Sequence, residues 1–303
     1  MRREVSAFVG AGVRLRWALR GITWLARRPS LLLPLLVILV TLFAALLAPQ
    51  LTDLSPTRAV PGSQLLPVGT SGHPLGTDQL GRDVLTRILY GSRVAWTVGL
   101  LVSGLSILAG VVLGGLAFYA SGWLDSTISR LIDGILAFPA LLLALILAAI
   151  LGPSTRTGII ALAVVYTPLT ARVMRSAVLT ERNLDYVAVS RGLGNREIVT
   201  LVRHVLINTV PPMLVVGAVV ASRSIIIESS LSFLGAGTQP PTAAWGLMIG
   251  EARELMLVFP ALVVVPAVVL SVTVLAINLF ADALGDALDV NTRSIRGHGK
   301  ASL

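Results

Sequence analysis

The stretch SLLLPLLVILVTLFAALLA, Ser30–Ala48, runs without a single charged side chain. At 1.5 Å per residue it makes a helix of roughly 28 Å, close to the ~30 Å hydrocarbon core of a bilayer. Five further stretches read the same way. The second lies between Arg93 and Asp125, centred on Thr97–Phe118. The third lies between Asp133 and Arg156, centred on Ile135–Leu151. The fourth, Thr157–Ala171, is short and extends past Arg172, whose side chain can snorkel. The fifth runs from about Val205 to Ile227 and contains Arg223, and the sixth, Leu255–Ala281, contains Pro260 and Pro266. The expected fold class is an all-α integral membrane protein with six transmembrane helices.

Composition supports that reading. The chain has 303 residues, 55% of them hydrophobic and 13% charged, against about 25% charged in soluble domains. Mean hydropathy is +0.85. So little charge excludes a disordered chain, a nucleic-acid-binding domain and an ordinary soluble enzyme. The net charge of +9 sits between apolar blocks, as in membrane proteins that hold their cytoplasmic segments by charge. With no cysteine and three scattered histidines, no thiolate chemistry and no metal site is expected.

Orientation follows from the basic residues. If the tail 1–30, with its seven arginines, is cytoplasmic, six spans return the C-terminus to the same side. Cytoplasmic segments then hold 17 basic residues and external ones 6, as the positive-inside rule requires. The apolar segment after the tail is too long for a signal peptide and is read as a retained first helix. The domain plan is a tail 1–30, a six-helix domain 31–289 and a cytoplasmic tail 290–303. External loops lie at 49–92 and 229–254, and a cytoplasmic loop at 175–208. Within the first tail, Phe8–Leu25 reads either as a surface-lying amphipathic helix or as a loosely ordered anchor.

The 175–208 loop is too patterned for a plain connection. Asn183 is placed to cap a short helix with Asp185 in its first turn, ending near Gly192–Gly194. Asn195 is placed to cap a second helix. There Ile198, Leu201, Val202 and Val205 form one apolar stripe, with Thr200 off it. Two short helices with a glycine hinge read as a docking element or as packing against the bundle.

Three blocks resemble a known family. They are His73–Arg93 (HPLGTDQLGRDVLTRILYGSR), Asp185–Gly194 (DYVAVSRGLG) with Arg203–Asn208 and Pro211-Pro212, and Glu228–Gly246 (ESSLSFLGAGTQPPTAAWG). In this order they resemble the C-type permease subunit of the ABC importers for dipeptides, oligopeptides and nickel, over about Leu31 to Asp289. The resemblance implies a type I importer bundle paired with a second, different permease. It also implies two ABC ATPases that use ATP and Mg, an extracytoplasmic binding protein, surrounding lipid, and no cofactor on this chain. The inner (plasma) membrane is the implied location.

In such importers the cytoplasmic loop docks on the ATPase. Its family motif is Glu-Ala-Ala, three residues, Gly, nine residues, Ile-x-Leu-Pro. Aligned at Gly194, it matches here at Gly194 and Leu206. It departs at Ala188-Val189-Ser190, and at Ile207 where the family has Pro. The implied coupling residues are Asp185, Tyr186, Ala188, Ser190, Arg191, Gly192, Gly194 and Leu206, with Tyr186 to Gly194 as the docking surface.

Other groups carry more than one reading. Gly76, Asp78, Gly81, Arg82 and Asp83 read as a turn before an interfacial helix over Arg82–Tyr90, with Asp78 its cap, or as an outer-face contact with a partner. Calcium-loop spacing is absent. Arg223 and Glu228, five residues apart, lie on different helix faces. Each faces the pathway or a partner permease, or anchors the helix at the interface. Trp245 is expected near the interface in an extended external segment.

No phosphate-cradling loop ending in Lys-Ser or Lys-Thr occurs, so the chain is not the ATPase. No catalytic constellation is found, so no enzyme is expected and an intramembrane hydrolase is disfavoured. The competing class is a self-sufficient ion-coupled secondary transporter. It would need ionisable residues mid-span or inverted repeats. The cores of spans one to three and six hold no Asp, Glu, Lys or Arg.

Overall fold

The computed structural model describes residues 31–116 and 123–298, with backbone alone at 124, 125 and 289–298. The basic tail and its Phe8–Leu25 stretch lie outside the described residues. Nine helices carry the described chain: α1 Leu32–Leu51, α2 Val84–Gly115, α3 Trp123–Leu136, α4 Ala140–Leu151, α5 Thr155–Arg182, α6 Asp185–Gly192, α7 Glu197–Phe233, α8 Trp245–Ala252 and α9 Ala261–His298. Helices α1, α2, α5, α7 and α9 are long and apolar enough to cross a membrane. Within α3 and α4, Ser126–Leu136 and Ala140–Leu151 form a pair bent by 88°. Counted as one span, that pair brings the number to the expected six.

The boundaries depart from expectation for local reasons. The second span starts at Val84, so the interfacial helix expected over Arg82–Tyr90 is the first part of α2. Its cap is Asp83, whose Oδ2 accepts the Thr86 N–H at 2.7 Å, rather than Asp78. The third span is broken because Pro139 has no N–H to continue α3 and disfavours helical backbone at Phe138. Pro139 instead opens α4 as its N-cap residue. Helix α5 starts where Ser154 Oγ accepts the Thr157 N–H and continues past Arg172. Helix α7 begins well before Val205 and runs through Pro211 and Pro212. Pro260 precedes α9 rather than lying inside it, and α9 continues to His298, into the segment read as a tail.

The centre is α2, α5 and α7 in close contact. Small residues set the approach of α2 to α5. A Cβ on Gly110 would lie 2.4 Å from Thr170 Oγ1, and one on Gly114 2.6 Å from the Ala171 carbonyl. This is the small-xxx-small spacing by which apolar helices pack where no hydrophobic drive exists between them. Hydroxyls then bond across: Thr170 Oγ1 donates to the Ser106 carbonyl at 2.6 Å, and Ser103 Oγ to the Gly217 carbonyl of α7 at 2.8 Å. Ser222 of α7 donates to Asn278 of α9 at 2.8 Å. At one end of the bundle, called here the loop end, lie the 52–83 loop and α8. At the other lies α6.

Candidate functional site

The α6 end is a braced unit. Leu184, not Asn183, precedes the first turn of α6, and Asn183 Nδ2 donates to the Leu179 carbonyl. The helix ends in a glycine motif. The Gly194 N–H bonds to the Arg191 carbonyl at 2.9 Å and the Asn195 N–H to the Ser190 carbonyl at 3.3 Å. Gly194 sits at φ +79° in open space, so backbone conformation alone calls for glycine there. Asn195 does not cap the next helix; its Nδ2 donates to Ser190 Oγ, which pairs with Thr200 Oγ1 at 3.0 Å in a buried contact. Arg191 and Glu197 close the turn with an ion pair at 2.9 Å.

Tyr186 ties this unit to two long helices. Its hydroxyl donates to Glu181 of α5 and accepts from Asn208 Nδ2 of α7 at 3.1 Å. Burial first, then the bond to the Glu181 carboxylate, push the hydroxyl pKa up to about 12. A π-helical turn at Leu201–Val205 then shifts the faces of α7. The expected stripe splits: Leu201 and Val205 are buried, together with Thr200, while Ile198 and Val202 face outward.

The expected coupling residues therefore fall into two sets. Tyr186 and Ser190 are built into the brace, and Leu206 packs half-buried against the main core. Asp185, Ala188 and Gly192 are exposed, and Arg191 is partly so. Beside them stand Val189 and Leu193, 60% and 77% exposed, with Ile198 and Val202 on the neighbouring helix. Sequence reasoning placed Val189 and Leu193 within the docking surface and Ile198 and Val202 on the apolar stripe, without marking any of the four as an exposed contact. A cluster of bare aliphatic side chains marks an interaction surface.

The loop end is closed by buried charge. Arg82 and Arg87 are 2% and 1% exposed. Arg82 Nε donates to Asp78 Oδ2 at 2.6 Å, and both guanidinium groups donate to Glu251 Oε2, at 2.9 and 3.0 Å. Arg87 also bonds the Pro56 carbonyl at 3.1 Å. Asp83 Oδ1 meets His73 Nδ1 at 2.9 Å. Gly76 and Gly81 lie at φ +76° and +75°, and a Cβ on either would fall 2.3 or 2.2 Å from a backbone carbonyl oxygen. All five residues of this motif thus serve one tight turn pinned to α8. Glu251 and Arg87, which complete the cluster, went unnoticed because Glu251 lies 169 residues from Arg82.

Arg223 and Glu228 part company. Glu228 is 2% exposed and accepts from Ser232 Oγ at 2.6 Å and Thr238 Oγ1 at 2.8 Å. It holds the turn after α7, which Thr238 joins to Thr155 of α5 at 2.9 Å. Arg223 is exposed and lines a groove between α5, α7 and α9. Trp245 is not at an extended interface. It opens α8, is buried against Gly91, and donates from Nε1 to the Ile88 carbonyl at 3.1 Å.

The comparisons agree with this architecture. Residues 106–294 match the family model described as binding-protein-dependent transport system inner membrane component. The di/tripeptide transport system permease protein DppC of Pseudomonas aeruginosa is 39% identical over 260 residues, 84% of this chain and 86% of that one. The glutathione transport system permease protein GsiD of Pectobacterium atrosepticum is 39% identical over 225 residues, covering 74% and 75%. Among solved structures, an inward-facing MetNI methionine ABC transporter chain aligns with a TM-score of 0.55 at 16% identity, over 67% of this chain and 97% of that one, a likeness of fold. The chain belongs to the family of binding-protein-dependent transport system inner membrane components, as a multi-pass permease.

Proposed function

We propose that this permease is one half of the translocation path of an ATP-driven importer of di- and oligopeptides. It acts beside a second, different permease, above two ATPase subunits that bind ATP and Mg, and below an extracytoplasmic binding protein. Both termini then face the cytoplasm, and the chain itself performs no catalysis. The peptide substrate class is supported by the names of the curated relatives.

The observation that carries coupling is the braced α6 unit with its apolar face. Val189 and Leu193 present a surface that only a partner would cover, and the Schellman-type turn and the Ser190–Thr200 contact keep it rigid. Tyr186 reaches both α5 and α7. A push on α6 from closing ATPases is thus delivered to two long helices together, as a rigid-body motion requires.

Co-purification of the tagged chain from its native membrane tests this. A second permease and ATPase chains should come with it. Leu193→Asp should remove the ATPases and leave the second permease. ATPase recovery at the wild-type level with both Leu193→Asp and Val189→Asp would contradict docking at α6.

A further inference from the structure

Helices α5, α7 and α9 leave between them an open groove of about 680 Å³. Toward the α6 end its lining is polar, with Ser176, Thr180, Glu181 and Asn208. Leu169 and Val173 add apolar lining, and among the described residues Arg223 is the one cation that lines the groove. Ala221 and Ile225, which flank Arg223 on α7, pack on Gly99, near the middle of α2 and about 22 Å from its first residue at 1.5 Å per residue. Arg223 is therefore a charge at membrane depth, in an open groove rather than a packed core.

Among the described residues Arg223 makes no hydrogen bond and no ion pair. The carboxylate nearest to it along α7, Glu228, is turned into the protein and held by Ser232 and Thr238. Glu181 takes the Tyr186 hydroxyl at the other end of the groove. A permanently charged guanidinium in such a place is costly unless an anion or water reaches it. Its planar fork of donors matches a carboxylate in bidentate fashion. Apolar walls strengthen that attraction by lowering the local dielectric.

We infer that Arg223 is a carboxylate-binding station on the translocation path, receiving the terminal carboxylate of a short peptide as it crosses. The inference rests on the peptide-importer reading above. It gives the permease a selectivity of its own, beyond that of the binding protein. The polar row from Ser176 to Asn208 then lies along the peptide's exit.

The test uses the complete complex in vesicles and one short peptide in two forms, with a free C-terminal carboxylate and with a C-terminal amide. The peptide is chosen so that the binding protein binds both. Arg223→Gln should lower initial uptake of the free-carboxylate form by roughly ten- to a hundredfold, the worth of a charge-assisted hydrogen bond, and leave the amide form within about twofold. Arg223→Lys should keep most of the carboxylate uptake. Unchanged uptake of both forms in Arg223→Gln would overturn the station. An equal fall in both, with loss of the second permease from the purified complex, would overturn it in favour of a subunit contact. A wild-type complex that imports neither form fails differently, because it overturns the peptide-importer reading and the station with it.

Discussion

At the loop end Arg82 and Arg87 share Asp78 and Glu251 with their guanidinium groups almost wholly out of solvent, whereas at the α6 end the Arg191–Glu197 pair is part-exposed. The contrast extends to the apolar residues. Trp245 is buried between α8 and α2, while Leu193 stands bare. It extends to the glycines too. Gly81 is crowded by the Val60 carbonyl, while Gly194 has open space around it. The loop end satisfies its own buried charges, although Met256, Leu257 and Val258 just beyond α8 stay bare there. The other is stiffened by hydrogen bonds but leaves an uncovered face, which is what a surface awaiting a partner looks like.

The contrast can be broken by substitution. Glu251→Ala should destabilise the detergent-solubilised protein by about 3 kcal/mol, because it leaves two buried guanidinium groups to share the single carboxylate of Asp78. Arg191→Ala should cost under ~1 kcal/mol, as exposed pairs do. Thermal unfolding of the two variants side by side measures the difference, and equal losses would erase the distinction between the ends.

Glycine substitutions sharpen it. Gly81→Ala combines a left-handed φ with a Cβ 2.2 Å from an oxygen, and should cost about 2–4 kcal/mol. Gly194→Ala carries the φ penalty alone, about 1–2 kcal/mol. Expression level and melting temperature should separate the two.

Tyr186→Phe should cost about 1 kcal/mol by removing one hydroxyl that serves two helices. It should also reduce hydrogen-exchange protection in α6. In the wild type the pH response has a definite sign. Folding raises this pKa from 10.0 to about 12, so the anchoring is complete below pH 10 and is lost as pH climbs through about 12. Loss of α6 protection at lower pH would assign the anchoring to another group.

Much of the bundle was legible in the sequence because a bilayer demands long apolar runs, and such runs are visible without knowing what they pack against. The start of α2 was misplaced because the charge-free run begins only after Arg93, while the helix itself also takes in Arg87 and Arg93. Arg87 is a buried helical residue through Asp78, Glu251 and the Pro56 carbonyl, partners that lie outside the helix. The bend at Pro139 had a local signal in the proline itself, but composition merged α3 and α4 into one apolar span. At the α6 end the glycine stop at Gly194 was readable from local chemistry. The apolar stripe was half right, since the π turn at Leu201–Val205 adds a residue to the turn and rotates Ile198 and Val202 outward. The buried roles of Glu228 and Trp245 depend on Thr238 and Gly91, contacts that no periodicity encodes.

Coupling to the ATPases is tested by peptide uptake into membrane vesicles carrying the whole system, driven either by ATP at the ATPase face or by an imposed ion gradient. Uptake should require ATP, ignore the gradient, and be abolished by Leu193→Asp while the protein remains folded. Uptake that follows the gradient without ATP, and survives Leu193→Asp, would contradict that coupling and make the chain a self-sufficient transporter.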